Sequence, residues 1–230
     1  MRINRYLALQ GYASRREADE FLKRGLVKIN GRTARVGEDV GEKDIVTIDE
    51  QAKKIKKLVY LAYYKPLGVV THSPEGDQKS VKEALNYPIP VSPVGRLDRA
   101  SEGLLILTND GRVTGRLLEP SRGNEKEYIV RVEKPVTSWF LKRMAEGVRL
   151  EDGTIAKPKK ITEIGGSSFI LILTEGKRHE IRRMCALLGY VVESLKRVRV
   201  MNIKLGSLKP GMYRELKGKE LKDFITGLGL

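Results

Sequence analysis

One carboxylate placed among arginines is the first feature of this sequence that suggests chemistry. Asp98 lies between Arg96 and Arg99, and an apolar run at 104–107 follows it closely. An aspartate beside an arginine is ionised at neutral pH, and an ionised aspartate can act as a nucleophile. The simpler alternative is a surface ion pair, which stabilises a protein by only ~0–1 kcal/mol. The remaining motifs must decide between the two.

Three further stretches carry side chains that could act together with this carboxylate. Tyr128 opens a strand-like segment, EGKRHEIRRM occupies 175–184, and a second basic cluster occupies 196–199. A tyrosine can stack on a flat base and reach it with a polar tip, while basic clusters bind phosphates. The sequence has no glycine-rich phosphate loop, and one cysteine with two histidines is too few for a Cys/His zinc site. We therefore expect neither a cofactor nor a metal.

The composition indicates a folded protein with a polyanionic partner. The chain has 230 residues, of which 40% are hydrophobic, so a substantial core is expected. Its 44 Lys and Arg against 29 Asp and Glu give a net charge of +15, which favours nucleic acid as the partner. Its apolar runs are too short to span a membrane and the N-terminus lacks a secretory segment, so we expect a cytoplasmic protein without membrane association.

The first fifty residues are predicted to form a small basic module. Ser14 and Glu17 have the spacing of a capping box, which predicts a second helix after one near the N-terminus. Asn30-Gly31 predicts a two-residue hairpin, because both residues tolerate positive φ. Arginines 15 and 16 stand in the first turn of that second helix, where the helix dipole disfavours cations. A phosphate ligand would explain them; the alternative is a solvated charged face.

The rest of the chain is predicted to form a larger α+β domain over residues 58–230. A polar, basic stretch at 51–57 is the expected linker after a first domain at 1–50. Strands are expected at 58–64, 68–71, 103–108, 127–132, 168–174, 200–205 and 213–216, and helices at 136–145, at 180–188 and near the C-terminus. Hairpins and irregular loops dominate the connections, which favours a mainly antiparallel, mixed sheet flanked by helices.

The N-terminal module resembles the S4 RNA-binding domain. The resemblance rests on RYL at 5–7, SRREA at 14–18, GLVKING at 25–31 and the strand region at 41–48. It implies that structured RNA docks on the face formed by the two helices. The basic residues that we expect to contact RNA, in this module and in the larger domain, are Arg2, Arg5, Arg15, Arg16, Lys28, Arg32, Lys177, Arg178, Arg183, Lys196, Arg197 and Arg199.

The larger domain resembles the pseudouridine synthases. RLD at 96–98 with SEGLL at 101–105 is similar to their catalytic motif, KEY at 126–128 to their second motif, and 176–184 with LKR at 195–197 to their third. With the S4 domain in front, the chain resembles the ribosomal RNA enzymes of the RsuA/RluB/RluE/RluF type. RMC at 183–185 and RVMN at 199–202 most resemble the RluF-type enzymes of large-subunit rRNA.

The resemblance implies a role for individual residues. Asp98 would be the nucleophile in uridine-to-pseudouridine isomerisation, with attack on C1′ or on C6 left open. Arg182 would pair with Asp98, with Arg178 and Arg183 as alternatives, and Tyr128 would stack on the uracil. Two further residues would contact the extruded nucleotide, namely Arg96, which would help to flip the base, and Leu195, which would pack in the pocket. His179 is expected to contact RNA or to make a structural hydrogen bond.

The same resemblance implies the partners of the protein. We expect a monomer that acts on a structured stem-loop of ribosomal RNA, most specifically the 23S rRNA, as free RNA or in ribosome assembly intermediates. One alternative is a synthase of small-subunit rRNA or tRNA. A second alternative is a non-catalytic S4-type RNA-binding or ribosome-assembly protein.

Overall fold

The computed structural model describes residues 1–49 and 57–230, so the expected linker at 51–57 lies outside the described residues except for Lys57. The helices of these residues are Ile3–Leu9 (α1), Arg15–Lys23 (α2), Val81–Ala84 (α3), Gly111–Leu118 (α4), Ser138–Glu146 (α5), Glu180–Leu187 (α6) and Gly218–Gly227 (α7). None of the helices in these two ranges is long and apolar enough to cross a membrane.

The strands of the same residues are Val27–Ile29 (β1), Arg32–Thr33 (β2), Val46–Ile48 (β3), Tyr60–Lys65 (β4), Ser92–Val94 (β5), Glu102–Thr108 (β6), Lys126–Val132 (β7), Val148–Arg149 (β8), Ile155–Ala156 (β9), Lys160–Gly165 (β10), Ser168–Leu173 (β11), Val192–Val200 (β12), Ile203–Lys204 (β13) and Tyr213–Glu215 (β14).

The N-terminal module combines α1 and α2 with a small antiparallel sheet in the order β2-β1-β3. The predicted capping box is present: the Ser14 amide donates to the Glu17 carboxylate at 2.7 Å, and the Glu17 amide donates to the Ser14 hydroxyl at 3.3 Å. Asn30 and Gly31 turn the predicted hairpin with φ values of 51° and 82°. Local cap and turn chemistry therefore predicts the start of α2 and the β1–β2 hairpin of this module.

The larger domain is built on one mixed sheet, in the order β10-β11-β7-β12-β6-β4-β14, with β13 paired to β12 and β5 to β6. Among the described strands of this sheet, only the β12–β6 pair is parallel. The predicted α+β class with a mainly antiparallel sheet is confirmed. The parallel pair matters for function, because it joins the strand after Asp98 to the strand that carries the third motif.

Strand β6 is apolar over 104–107 because both of its faces are buried there. Leu105 and Leu107 belong to the core that includes α5 and α6, whereas Leu104 and Ile106 face a second core that includes α4 and α7. A strand covered on both faces needs no polar alternation, which explains the uninterrupted run seen in the sequence. The loop that precedes β6 is thus anchored to a strand that is buried on both faces.

Two strand predictions of the larger domain were wrong or incomplete. Residues 68–71 do not form a strand: Val70 makes an isolated bridge to Ser80, and Gly68 takes a φ of 80°. The strand predicted at 200–205 is instead a tight turn, in which β12 ends at Val200 and β13 pairs back with it antiparallel. Residues 192–199 were not expected as a strand, yet β12 lies between β7 and β6 near the middle of the sheet. Basic residues interrupt the apolar pattern of β12, so the sequence does not predict a buried strand there. Leu195 and Arg197 are nevertheless both buried.

Candidate active site

Residues of the three motifs meet in one cavity of about 770 Å³. Asp98 lies in the loop between β5 and β6, and its side chain is partly exposed at this cavity. Tyr128 and Leu195 also line the cavity and are largely buried, while Arg96 lines it and is exposed. The structure therefore brings together four of the five residues that the sequence proposes as catalytic or base-contacting.

The sheet register explains why these motifs converge. Tyr128 on β7 lies opposite Arg197 on β12, and Arg197 in turn lies opposite Gly103 on β6. The three motifs thus stand side by side across three neighbouring strands, although they are far apart in the sequence. The loop of Asp98 enters β6 only a few residues before this line.

The carboxylate of Asp98 pairs with a histidine. The Asp98 Oδ2 and His179 Nδ1 atoms are 3.0 Å apart. His179 stands immediately before α6 and has a left-handed φ of 52°. The sequence suggested an RNA contact or a structural hydrogen bond for this histidine, so its link to the candidate nucleophile is a finding of the structure.

The expected pair between Arg182 and Asp98 is not present in the described structure, and this expectation is corrected. The Arg182 guanidinium instead donates to the carbonyl oxygens of Val192 at 2.9 Å and Ala100 at 2.7 Å. Because Ala100 is two residues after Asp98, Arg182 holds the backbone of the loop that carries Asp98 and not the carboxylate itself. Arg183 is engaged with Glu151 and Asp152 in ion pairs of 2.8 and 3.0 Å.

Two buried lysines lie at or near the cavity: Lys126 lines it, and Lys65 lies close enough to Asp98 to interact with its charge. Burial lowers the pKa of Lys65 to about 8, and the nearby Asp98 and Glu102 carboxylates oppose this shift. Burial, reinforced by Arg197, also lowers the pKa of Lys126. Positive charge held in a site of reduced dielectric strengthens the attraction for an anion, whether a phosphate or a charged intermediate. The sequence motifs do not point to Lys65, although a lysine at the end of an otherwise apolar strand is a signal of a buried cation.

A buried carboxyl group forms another part of the cavity wall. Glu180, the first residue of α6, is only 3% exposed and accepts a hydrogen bond from the Lys177 amide at 2.9 Å. Burial raises the pKa of Glu180 to about 7, and the neighbouring Glu175 side chain adds to the rise. The folded protein therefore keeps this carboxyl group protonated under conditions in which an exposed glutamate is charged.

Replacing Glu180 with glutamine should flatten the pH dependence of stability between pH 5 and 7.5. The folded protein holds the Glu180 proton up to about pH 7, whereas an unfolded glutamate loses it near its ordinary value of 4.5. Stability therefore falls as the pH rises through this window. Relative to Glu180→Gln, the wild type should lose on the order of 2 kcal/mol in urea unfolding between these pH values.

The exposed Glu163 offers a control for that measurement. The pH dependence of a Glu163→Gln variant should parallel that of the wild type. If the Glu180→Gln curve also ran parallel to the wild type, burial of an ionisable Glu180 would not affect stability in this window.

The expected RNA contacts fall into three groups. Arg5, Arg15, Arg16, Lys28 and Arg178 are exposed. Four others make partner contacts at or near the surface, namely Arg2 with Asp39, Arg32 with Glu38, Lys177 with Glu175, and Lys196 over the Tyr64 ring. Such exposed contacts are weak enough for a phosphate to compete with them. The remaining three, Arg183, Arg197 and Arg199, are held by the protein itself.

Arg197 and Arg199 are poorly placed to contact RNA, which corrects the expectation for both. Arg197 is 4% exposed and donates to the Leu104 carbonyl oxygen at 2.7 Å. Arg199 is held between Glu127 at 2.7 Å and Glu125 at 2.9 Å. Both guanidinium groups therefore tie β12 to its neighbours, a role that their positive charge alone did not reveal.

Comparisons with known proteins show which family the chain belongs to. The family model described as "RNA pseudouridylate synthase" matches residues 59–187, and the model described as "S4 domain" matches residues 1–46. The dual-specificity RNA pseudouridine synthase RluF of Escherichia coli K12 is 37% identical over 228 residues, which are 98% of this chain and 78% of that protein. An uncharacterized RNA pseudouridine synthase of Aquifex aeolicus is 41% identical over 240 residues, covering 100% and 96% of the two chains.

A solved structure extends the similarity to three dimensions. A crystal structure of a pseudouridylate synthase matches with a TM-score of 0.72 and 28% identity, over 97% of this chain and 99% of that one. Fold and cavity thus define an RNA-modifying enzyme with a separate RNA-binding module. The chain belongs to the RNA pseudouridine synthase family and carries an S4 domain at its N-terminus. The two resemblances seen in the sequence motifs are confirmed.

Proposed function

We propose that this enzyme isomerises a specific uridine of large-subunit (23S) ribosomal RNA, with Asp98 as the nucleophile. The observation that carries the proposal is the Asp98 carboxylate, held 3.0 Å from His179 in a cavity that also contains Tyr128. A carboxylate fixed beside an aromatic ring and near buried cations suits covalent chemistry on a flat base. No part of this arrangement requires a cofactor.

The reaction balances within the substrate. The bond between N1 and C1′ breaks, a bond between C5 and C1′ forms, the C5 proton leaves and N1 gains a proton. Asp98 forms the transient covalent bond, at C1′ or at C6, and is released when the isomerised uridine is complete. Tyr128 stacks against the uracil and helps to remove the C5 proton. His179 orients the carboxylate before the substrate enters, a role that the sequence motifs assigned to Arg182.

Base flipping is the second element of the proposal. The reacting atoms of uridine are inaccessible within a stacked helix, and extrusion of the nucleotide costs a few kcal/mol. Arg96 is exposed at the cavity and is suited to fill the space that the extruded base leaves. Leu195 is buried in the cavity wall and supplies apolar packing for the base. The exposed arginines of the S4 domain would bind the flanking stem through its phosphates.

Tritium release from uridine-5-³H transcripts tests the proposed substrate. Transcripts of large-subunit rRNA, small-subunit rRNA and tRNA are compared, since loss of the C5 hydrogen reports isomerisation directly. We expect release from the large-subunit transcript, followed by mapping of a single site. Release only from small-subunit rRNA or tRNA would overturn the substrate assignment while leaving the reaction intact. If none of the three transcripts releases tritium, ribosome assembly intermediates are tested next. Release from these alone would identify a folded RNA–protein particle as the substrate.

A further inference from the structure

One segment of the chain holds the backbone on both sides of Asp98. The Gly68 amide donates to the Arg99 carbonyl oxygen at 3.0 Å. The Thr71 hydroxyl donates to the Leu97 carbonyl oxygen at 2.7 Å and accepts the Leu97 amide at 3.0 Å. The residues before and after Asp98 are therefore fixed by the same short segment, which follows β4.

This segment is itself held by a buried lysine. Lys65, the last residue of β4, is 0% exposed, and its ammonium group donates to the carbonyl oxygens of Pro66 at 2.8 Å and Val69 at 2.7 Å. Burial of an amine is costly unless hydrogen bonds or nearby charge compensate for it. The two carbonyl oxygens and the negative charges of Asp98 and Glu102 supply this compensation. The Lys65 ammonium group thus closes the turn after β4 and also interacts electrostatically with the Asp98 carboxylate.

We propose that Thr71 is a positioning residue for the reaction, and that Lys65 secures the segment through which it acts. The inference rests on the proposed role of Asp98. Thr71 lines the same cavity as Asp98, and its hydroxyl hydrogen-bonds both backbone groups of Leu97, which fixes the residue that precedes Asp98. A nucleophile that must meet a flipped base depends on such placement, because an error of about 1 Å can cost about a hundredfold in rate.

A second threonine provides a matched control for a merely structural role. Thr108 is also buried; its hydroxyl donates to the Val59 carbonyl oxygen at 2.6 Å and accepts the Asp110 amide at 3.0 Å. It stands at the far end of β6 from the Asp98 loop, roughly 20 Å away along an extended strand. Valine at either position keeps the shape of the side chain and removes one donated and one accepted hydrogen bond to the backbone.

The test compares Thr71→Val, Thr71→Ser and Thr108→Val in tritium release, in RNA binding and in urea unfolding. We expect Thr71→Val to lower kcat about 30- to 100-fold, with KM and the Kd for RNA within about twofold of wild type. Thr71→Ser, which keeps the hydroxyl group, should recover activity to within about threefold. Thr108→Val should lose similar stability but keep kcat within about twofold.

Three results would overturn the inference. The first is a kcat of Thr71→Val equal to that of Thr108→Val. The second is a loss of activity in proportion to the unfolded fraction, and the third is failure of serine to restore turnover. Wild-type levels of tritium release by Asp98→Asn would be a different failure, because they would remove the role of Asp98 on which the inference rests.

Discussion

Replacing Asp98 with asparagine should reduce tritium release from uridine-5-³H ribosomal RNA by at least about a thousandfold while RNA binding stays within about twofold. Asparagine keeps the shape of the side chain, but its amide is uncharged and cannot form the covalent bond with the nucleotide. The backbone of the loop is held by contacts through Leu97, Arg99 and Ala100, none of which involves the carboxylate. The variant should therefore fold and bind RNA normally.

The control must reproduce the change in charge. Asp223 is exposed on α7 and pairs with Lys219 at 2.6 Å, so Asp223→Asn alters the net charge by the same amount away from the cavity. Its activity and RNA affinity should match those of the wild type. If Asp98→Asn lost binding as strongly as activity, the carboxylate would be needed for substrate binding or folding, and its assignment as the nucleophile would fail.

The residues of the site could be proposed from the sequence, but their partners could not. Asp98, Tyr128 and Leu195 stand in short motifs whose residue types limit their chemistry, and all three line one cavity. The partner of Asp98 depends on how α6 begins. Five cationic or imidazole side chains occupy 177–183 in close succession, and the left-handed conformation of His179 cannot be read from their spacing.

The same limit applies to the fold. The turn at Asn30-Gly31 and the cap at Ser14 are local devices, so the sequence predicts them well. Strand β12 depends on non-local pairing with β7 and β6. The buried Arg197 makes this strand resemble a solvated basic segment, because the carbonyl oxygens that satisfy its guanidinium come from distant parts of the chain. Periodicity carries no information about those partners.

A close approach between two strands of the sheet predicts the second large effect. Gly103 lies at the start of β6, opposite Arg197 of β12. A Cβ atom at Gly103 would lie 2.3 Å from the Arg197 carbonyl oxygen and 2.7 Å from its amide nitrogen, at a φ of 108°. Both contacts are with backbone, so the clash can be relieved only by separating β6 from β12. Gly103→Ala should therefore cost at least about 3 kcal/mol in the free energy of unfolding.

Gly165 separates the effect of the clash from that of the backbone conformation. It has the same φ of 108°, but its added Cβ atom would meet nothing within 4 Å. Gly165→Ala should therefore cost only about 1 kcal/mol, the strain of the left-handed conformation alone. Urea unfolding of the two variants measures the difference. Equal losses would mean that β6 and β12 can separate at little cost. Pairing between these two strands would then not be what holds the Asp98 loop close to β12.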